Sequence, residues 1–164
     1  MKRSYKMYGI VADNISSLQK GIQFGKAIIK YGEKYGGEGY RKWLKGDMET
    51  VLLSGGTTNF RRFNGDYIGT INRHLDVLNK NNIKNTAIHY EKDLGDQLTV
   101  IAFLVDDRVW DLKKYPDYDG PWQKEITKEP FEIPYKHWLL KFGDEKEREN
   151  IFFLREFLKD LKEI

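Results

Sequence analysis

Cysteine is absent from this chain of 164 residues, which removes disulfides, thiol nucleophiles and thiolate metal ligands together. Histidine is scarce as well. Zinc would have to rest on His74, His89 and His137 with carboxylates, and those three are scattered along the chain. No apolar run approaches the roughly 20 residues that span a bilayer, so no membrane partner is expected. The opening MKRSYKMYGIVADN sets basic residues before an apolar run, but Tyr5, Lys6 and Tyr8 interrupt that run and Asp13 ends it. It therefore reads as a strand rather than a signal peptide, and a cytoplasmic location is expected. Several chemical signatures are also missing. There is no GxxxxGK[ST], no GxGxxG, no serine in a nucleophile elbow and no calcium-loop spacing. Serine-type hydrolysis and the common nucleotide-triphosphate folds lose their support, and no cofactor or metal is expected.

What remains is a chain with 40% hydrophobic and 14% aromatic residues, enough for one well-buried core. The net charge of +3 conceals an asymmetry: residues 1–105 hold 16 basic and 10 acidic side chains, whereas 106–164 hold 12 and 15. An anionic partner is expected on the first two-thirds. The order of elements is strand (Tyr8–Ala12), helix capped by Ser16 or Ser17 and running to about Lys34, a helical turn near Tyr40–Lys45, strand (Thr50–Leu53), a polar loop (Thr57–Gly69), a helix from Thr70 with Ile71, Leu75 and Leu78 on one face, and strands Thr86–Tyr90 and Leu98–Val105. This alternation predicts an α/β fold, a single domain with a mixed, largely parallel four-stranded sheet and helices on its faces. Residues 106–164 form an aromatic-rich extension packing on the 1–105 core. They end in a helix whose stripe of Leu154, Phe157, Leu158 and Leu161 would dock on the body or on a second subunit, so a homodimer is open.

Three stretches carry candidate chemistry. In LQKGIQFGKAII and the residue after it, Gln19, Gln23, Lys26 and Lys30 project within a stripe about 60° wide. The stripe is either a solvated face or a row of donors lining an anion or nucleic-acid site. Gly21 and Gly25 flank the apolar arc of that helix, where close packing on the sheet or the extension would account for them. YEKDLGDQLT offers Glu91, Asp93 and Asp96 on a turn, with a single positioned Asp93 the better candidate for catalysis than a metal site. SGGTTNFRRFNGD places Gly55 and Gly56 after a strand and Arg61 and Arg62 between Phe60 and Phe63, a pattern suited to backbone and stacking contacts with RNA and equally to a basic loop with tucked aromatics.

Set side by side, YGIVAD, Gln23-Phe-Gly-Lys-Ala27, TVLLS, GTINRHLDVLNKNNI, AIHYEKD and DLGDQLTVIAF resemble the peptidyl-tRNA hydrolases of the archaeal and eukaryotic type, over roughly residues 5–105. The chain also resembles a group of uncharacterised phage proteins that look like distant members of that superfamily, in which case the location would be the host cytoplasm. The family's first helix bears K-x-x-x-Q-x-x-H-A, matched here by Gln23 and Ala27, with Gln19 at the lysine position, Lys20 next to it and Lys26 at the histidine position. Asp93, Gly95 and the Thr99-Val-Ile-Ala run match its D-A-G-x-T turn and following strand. The resemblance implies hydrolysis of an ester of tRNA or a related RNA. Asp93 would position or deprotonate water, Lys20 or Lys26 or an amide would stabilise the oxyanion, Gln23 and Thr99 would line the cleft, and Lys30, Arg61 and Arg62 would hold the tRNA backbone. The alternative is a non-catalytic module sequestering a nucleotide, RNA or other anionic ligand, or an oligomeric protein that captures a host protein.

Overall fold

The computed structural model describes residues 3–57, 60–61, 67–119 and 132–164. Four strands, β1 (Tyr5–Val11), β2 (Thr50–Ser54), β5 (Thr86–Glu91) and β6 (Gln97–Asp106), form one sheet in the order β2-β1-β6-β5. A two-stranded pair, β3 (Phe60–Arg61) with β4 (Tyr67–Ile68), stands apart within the expected polar loop. The helices are α1 (Ser17–Tyr35), α2 (Glu38–Lys45), α3 (Thr70–Lys80), α4 (Asp107–Trp110), α5 (Glu132–Leu140) and α6 (Glu145–Lys159).

The four strands fall where the hydrophobic runs predict them, but the sheet is not largely parallel. Only β1 and β2 pair in parallel, Met7 opposite Thr50 through Val11 opposite Ser54, while β1–β6 and β5–β6 are antiparallel. The reason lies in a connection length. Residues 92–96 are too few to carry a crossover, so β6 must return as a hairpin partner of β5. It then inserts between β5 and β1. As a result β5 runs in the same direction as β1 and β2 without touching either.

Both faces of the sheet are covered, and period-2 alternation divides the core. Met7, Val11, Val100 and Ala102 meet Phe24, Ala27 and Tyr31 of α1 and Trp43 of α2. Tyr8, Ile10, Ile101 and Phe103 meet Ile71 and Leu78 of α3, Val109 of α4, and Phe142, Ile151 and Leu154 of the C-terminal part. Gly9 lies under α1, where a Cβ would fall 2.4 Å from Cε2 of Phe24. The close approach is therefore made at the strand. Gly21 and Gly25 have nothing within 4 Å of a Cβ, so close packing does not account for them. Leu18, Ile22 and Ile29 on the same outward face are 75%, 48% and 65% exposed.

The C-terminal part is held by buried charge as well as aromatics. Asp106 caps α4 and also accepts from Arg108 Nε and Nη2 at 3.0 and 2.7 Å. Arg108 reaches Glu147 and the carbonyl of Phe142, and Arg155 of α6 donates to the carbonyls of Arg108 and Tyr115. Residues 162–164 lie along the outer edge of β2, with Ser54 N donating to Lys162 O at 2.8 Å and Ile164 N to Leu52 O at 3.0 Å.

Candidate functional site

Helix α1 starts from a capping box in which Ser16 Oγ accepts from Gln19 N and Gln19 Oε1 accepts from Ser16 N. Gln19 is thereby used as a helix cap. The helix then packs over β5 and β6 with Phe24, Ala27 and Tyr31 inward, which sets the polar stripe at the margin of β5, with Gln23 buried and Gln19, Lys26 and Lys30 exposed. On β5, His89 and Glu91 are two residues apart and so share a face. Their meeting with α1 creates a compact polar cluster.

Glu91 Oε2 accepts from Gln23 Nε2 and, at 3.1 Å, from Lys26 Nζ. His89 Nε2 stands 3.5 Å from the same oxygen, and His89 Nδ1 lies 3.0 Å from Lys30 Nζ. A lysine ammonium only donates, so Nδ1 is the acceptor and the neutral ring carries its proton on Nε2, an assignment made from the network. Burial, then the Lys30 charge, push the His89 pKa down, which keeps the ring neutral at pH 7. The Glu91 carboxyl is held at about 2, first by the Gln23 hydrogen bond and then by Lys26. Gln23 is 4% exposed, and its Oε1 is buried without a hydrogen-bond partner, as is His89 Nε2. A carboxylate this well supplied with donors is a weak base at neutral pH, and the neighbouring imidazole has its acceptor nitrogen occupied.

The stripe continues one step further than the sequence reading took it. Lys26, Lys30 and Lys34 recur at every fourth residue, about 6 Å apart along the helix axis. Lys30, Lys34 and Lys84 line a groove of about 550 Å³ along β5, where Tyr35 donates from its hydroxyl to Lys84 O at 3.1 Å. Lys34 and Lys84 were missed, although the i, i+4, i+8 spacing of the first three was there to be read.

The remaining candidates divide between neighbouring positions. Lys20 Nζ stands 3.9 Å from Asp13 Oδ1, and Ser54 Oγ donates to Asp13 Oδ2 at 2.6 Å, at the carboxyl ends of β1 and β2. Thr99 is fully buried at the irregularity in β5–β6 pairing, its Oγ1 donating to His89 O at 3.2 Å. Asp93 is exposed in the single 3₁₀ turn Lys92–Leu94, which ends at Gly95 in the left-handed region (φ 72°). Thus Gln23, Lys26 and Lys30 come together, Thr99 lies directly behind His89, and the carboxylate that Gln23 and Lys26 meet is Glu91 rather than Asp93, while Lys30 meets His89. Gly55 and Gly56 spend backbone groups on β1, Gly55 N donating to Val11 O and Gly56 O accepting from Asp13 N at 2.7 Å in both cases. Arg62 and the side chain of Arg61 lie outside the described residues.

No family model, curated protein or solved structure matches this chain. Among the described residues no group of three or more histidines and carboxylates is arranged to hold a metal ion, and no helix is long and apolar enough to cross a membrane.

Proposed function

We propose that this protein is a binding module for a single-stranded anionic polymer, an RNA or tRNA end, which lies along α1 and β5 and is held rather than hydrolysed. One observation carries the reading: the polar row of α1 is gathered against β5 into a half-buried cluster whose carboxylate is deprotonated and accepts through Oε2 from both Gln23 and Lys26, beside lysines repeating at one-turn intervals. Such a cluster has no poised base, while Lys26, Lys30 and Lys34 provide cations at a spacing comparable to that of successive phosphates on an extended strand, and Lys84 adds a fourth in the same groove as Lys30 and Lys34. Lys26 is about half exposed and is able to leave Glu91 for a phosphate. The buried Gln23 Oε1 has no hydrogen-bond partner among the described residues, whereas His89 Nε2 faces Glu91 Oε2 at 3.5 Å.

Fluorescence anisotropy with labelled single-stranded RNA and with deacylated tRNA tests this. Binding should weaken with salt with a log–log slope of about −2, as expected when about three phosphates on a single strand are neutralised. Lys30→Ala and Lys34→Ala should each flatten that slope and reduce affinity several-fold. Salt-independent binding, or no binding at 50 mM salt by an intact protein, would sink the proposal.

The esterase reading implied by the hydrolase resemblance draws on a different observation. The carboxylate of Asp93 is exposed, with no hydrogen-bond partner among the described residues, one turn beyond the cluster. Release of peptide from peptidyl-tRNA that is abolished by Asp93→Ala would put that reading in place of the first.

A further inference from the structure

The face of the sheet opposite α1 holds a cavity of about 360 Å³ between β1, β2, α4 and the last turns of α6, within the size range of small-molecule sites. Its walls include Leu53, Val109, Leu158 and Leu161, together with Tyr8 and Trp110. Besides the charged side chains at its margin, two uncharged polar groups belong to this lining. The Tyr8 hydroxyl has no hydrogen-bond partner among the described residues, and the indole N–H of Trp110 is buried with none. One face of the Trp110 ring is already taken by Lys6 Nζ, 4.2 Å from its centroid.

The charges around the cavity decide what kind of molecule fits. Arg155 and Lys159 stand against Asp117, Glu156 and Glu163, leaving one excess negative charge. Arg155 is not available to an incoming anion, because its guanidinium already donates to Arg108 O, Tyr115 O and Asp117 Oδ1. Burial, then Glu163 and Glu49, push the Tyr8 pKa up to about 12, so the hydroxyl keeps its proton and faces the cavity as a neutral donor. A donor that lacks a partner in an apolar wall is best satisfied by an acceptor carried on a neutral body.

We propose that this cavity binds a neutral, largely apolar small molecule that presents a carbonyl or similar acceptor oxygen to the Tyr8 hydroxyl. The site is separate from the lysine row and does not depend on the proposal made for it.

The probe is prodan, a neutral dimethylaminonaphthalene bearing a propionyl ketone, titrated against the full chain and followed by its emission. Saturable, blue-shifted emission with one site per chain is expected. Leu161→Trp, which fills the cavity from a partly exposed position, should weaken binding at least about tenfold, and Tyr8→Phe should weaken it several-fold and move the emission further to the blue. Ile22→Glu, on the exposed face of α1, and added RNA should leave the titration unchanged. A non-saturating rise, sensitivity to Ile22→Glu, or equal affinity in Leu161→Trp and Tyr8→Phe proteins that keep the parent's melting temperature would overturn the proposal. Should Leu161→Trp fail to fold, Leu158→Phe and Tyr8→Phe decide the matter by the same criteria.

Discussion

Glycines at three positions of this chain look alike in sequence and have opposite roles in the fold. Gly9 is the floor on which Phe24 rests, so Gly9→Ala forces the ring and α1 outward and should destabilise by ~1–3 kcal/mol. Gly25 faces open space in a helix interior, so Gly25→Ala should stabilise by up to ~1 kcal/mol, and Gly21→Ala likewise. Chemical denaturation of the three variants separates the two cases, since helix packing at Gly25 would make its substitution destabilising. Glu91 gives a residue-level prediction in pH. Its folded pKa of about 2 lies below the ordinary 4.5, so the stability it contributes is fully present above 4.5 and is lost as pH falls from there towards 2. The melting temperature of Glu91→Gln should therefore fall less steeply than that of the parent across that interval. Parallel curves would mean that Gln23 and Lys26 do not hold the carboxylate.

At the level of elements, helix α1 shows both what could be read from the sequence and what could not. Its extent to about Lys34 and the angular stripe of Gln19, Gln23, Lys26 and Lys30 follow from periodicity, and residue type narrows the cap to Ser16 or Ser17, of which the structure uses Ser16. Which side of the helix would be covered does not. Apolar residues at Leu18, Ile22 and Ile29 suggest a buried face, yet they stand outermost, while Gln23 of the polar stripe is buried and Lys26 and Lys30 reach His89 and Glu91 of β5 from exposed positions. The choice of Glu91 over Asp93 as the contacting carboxylate likewise depends on where β5 ends and the 3₁₀ turn begins. Single-residue boundaries of this kind are poorly fixed by pattern. Helix α6 was legible as amphipathic, but its anchor was not. Arg155 reads as a surface charge, whereas its side chain is 8% exposed and it satisfies the carbonyls of Arg108 and Tyr115. Arg155→Met keeps the bulk and orphans both acceptors, with an expected loss of ~2–3 kcal/mol. A change under 0.5 kcal/mol in urea unfolding would show that water replaces the guanidinium there.

For the whole molecule, the alternation of strands and helices correctly indicates an α/β sheet with helices on both faces, and three of its strands do run the same way. The order β2-β1-β6-β5 is another matter, since it depends on a strand near residue 100 being drawn between two others. The same non-local pairing shapes the two edges. On the β2 side residues 162–164 cap the backbone, and a chain ending at Asp160 should aggregate more readily, as judged by light scattering at matched concentration, because Ser54 N and Leu52 O are then left open.

The central placement of β6 also imposes an order in time. Strand β1 is made before β6, its antiparallel partner, and the register from Tyr5 opposite Asp106 to Val11 opposite Val100 cannot form until β6 has been made as well. Until then β1 has only β2, and β5 has no neighbour at all. The apolar run Met7-Tyr-Gly-Ile-Val-Ala12 thus lacks its β6 neighbour until the intervening helices and strands have been made, and closing so long a loop makes the sheet slow to nucleate.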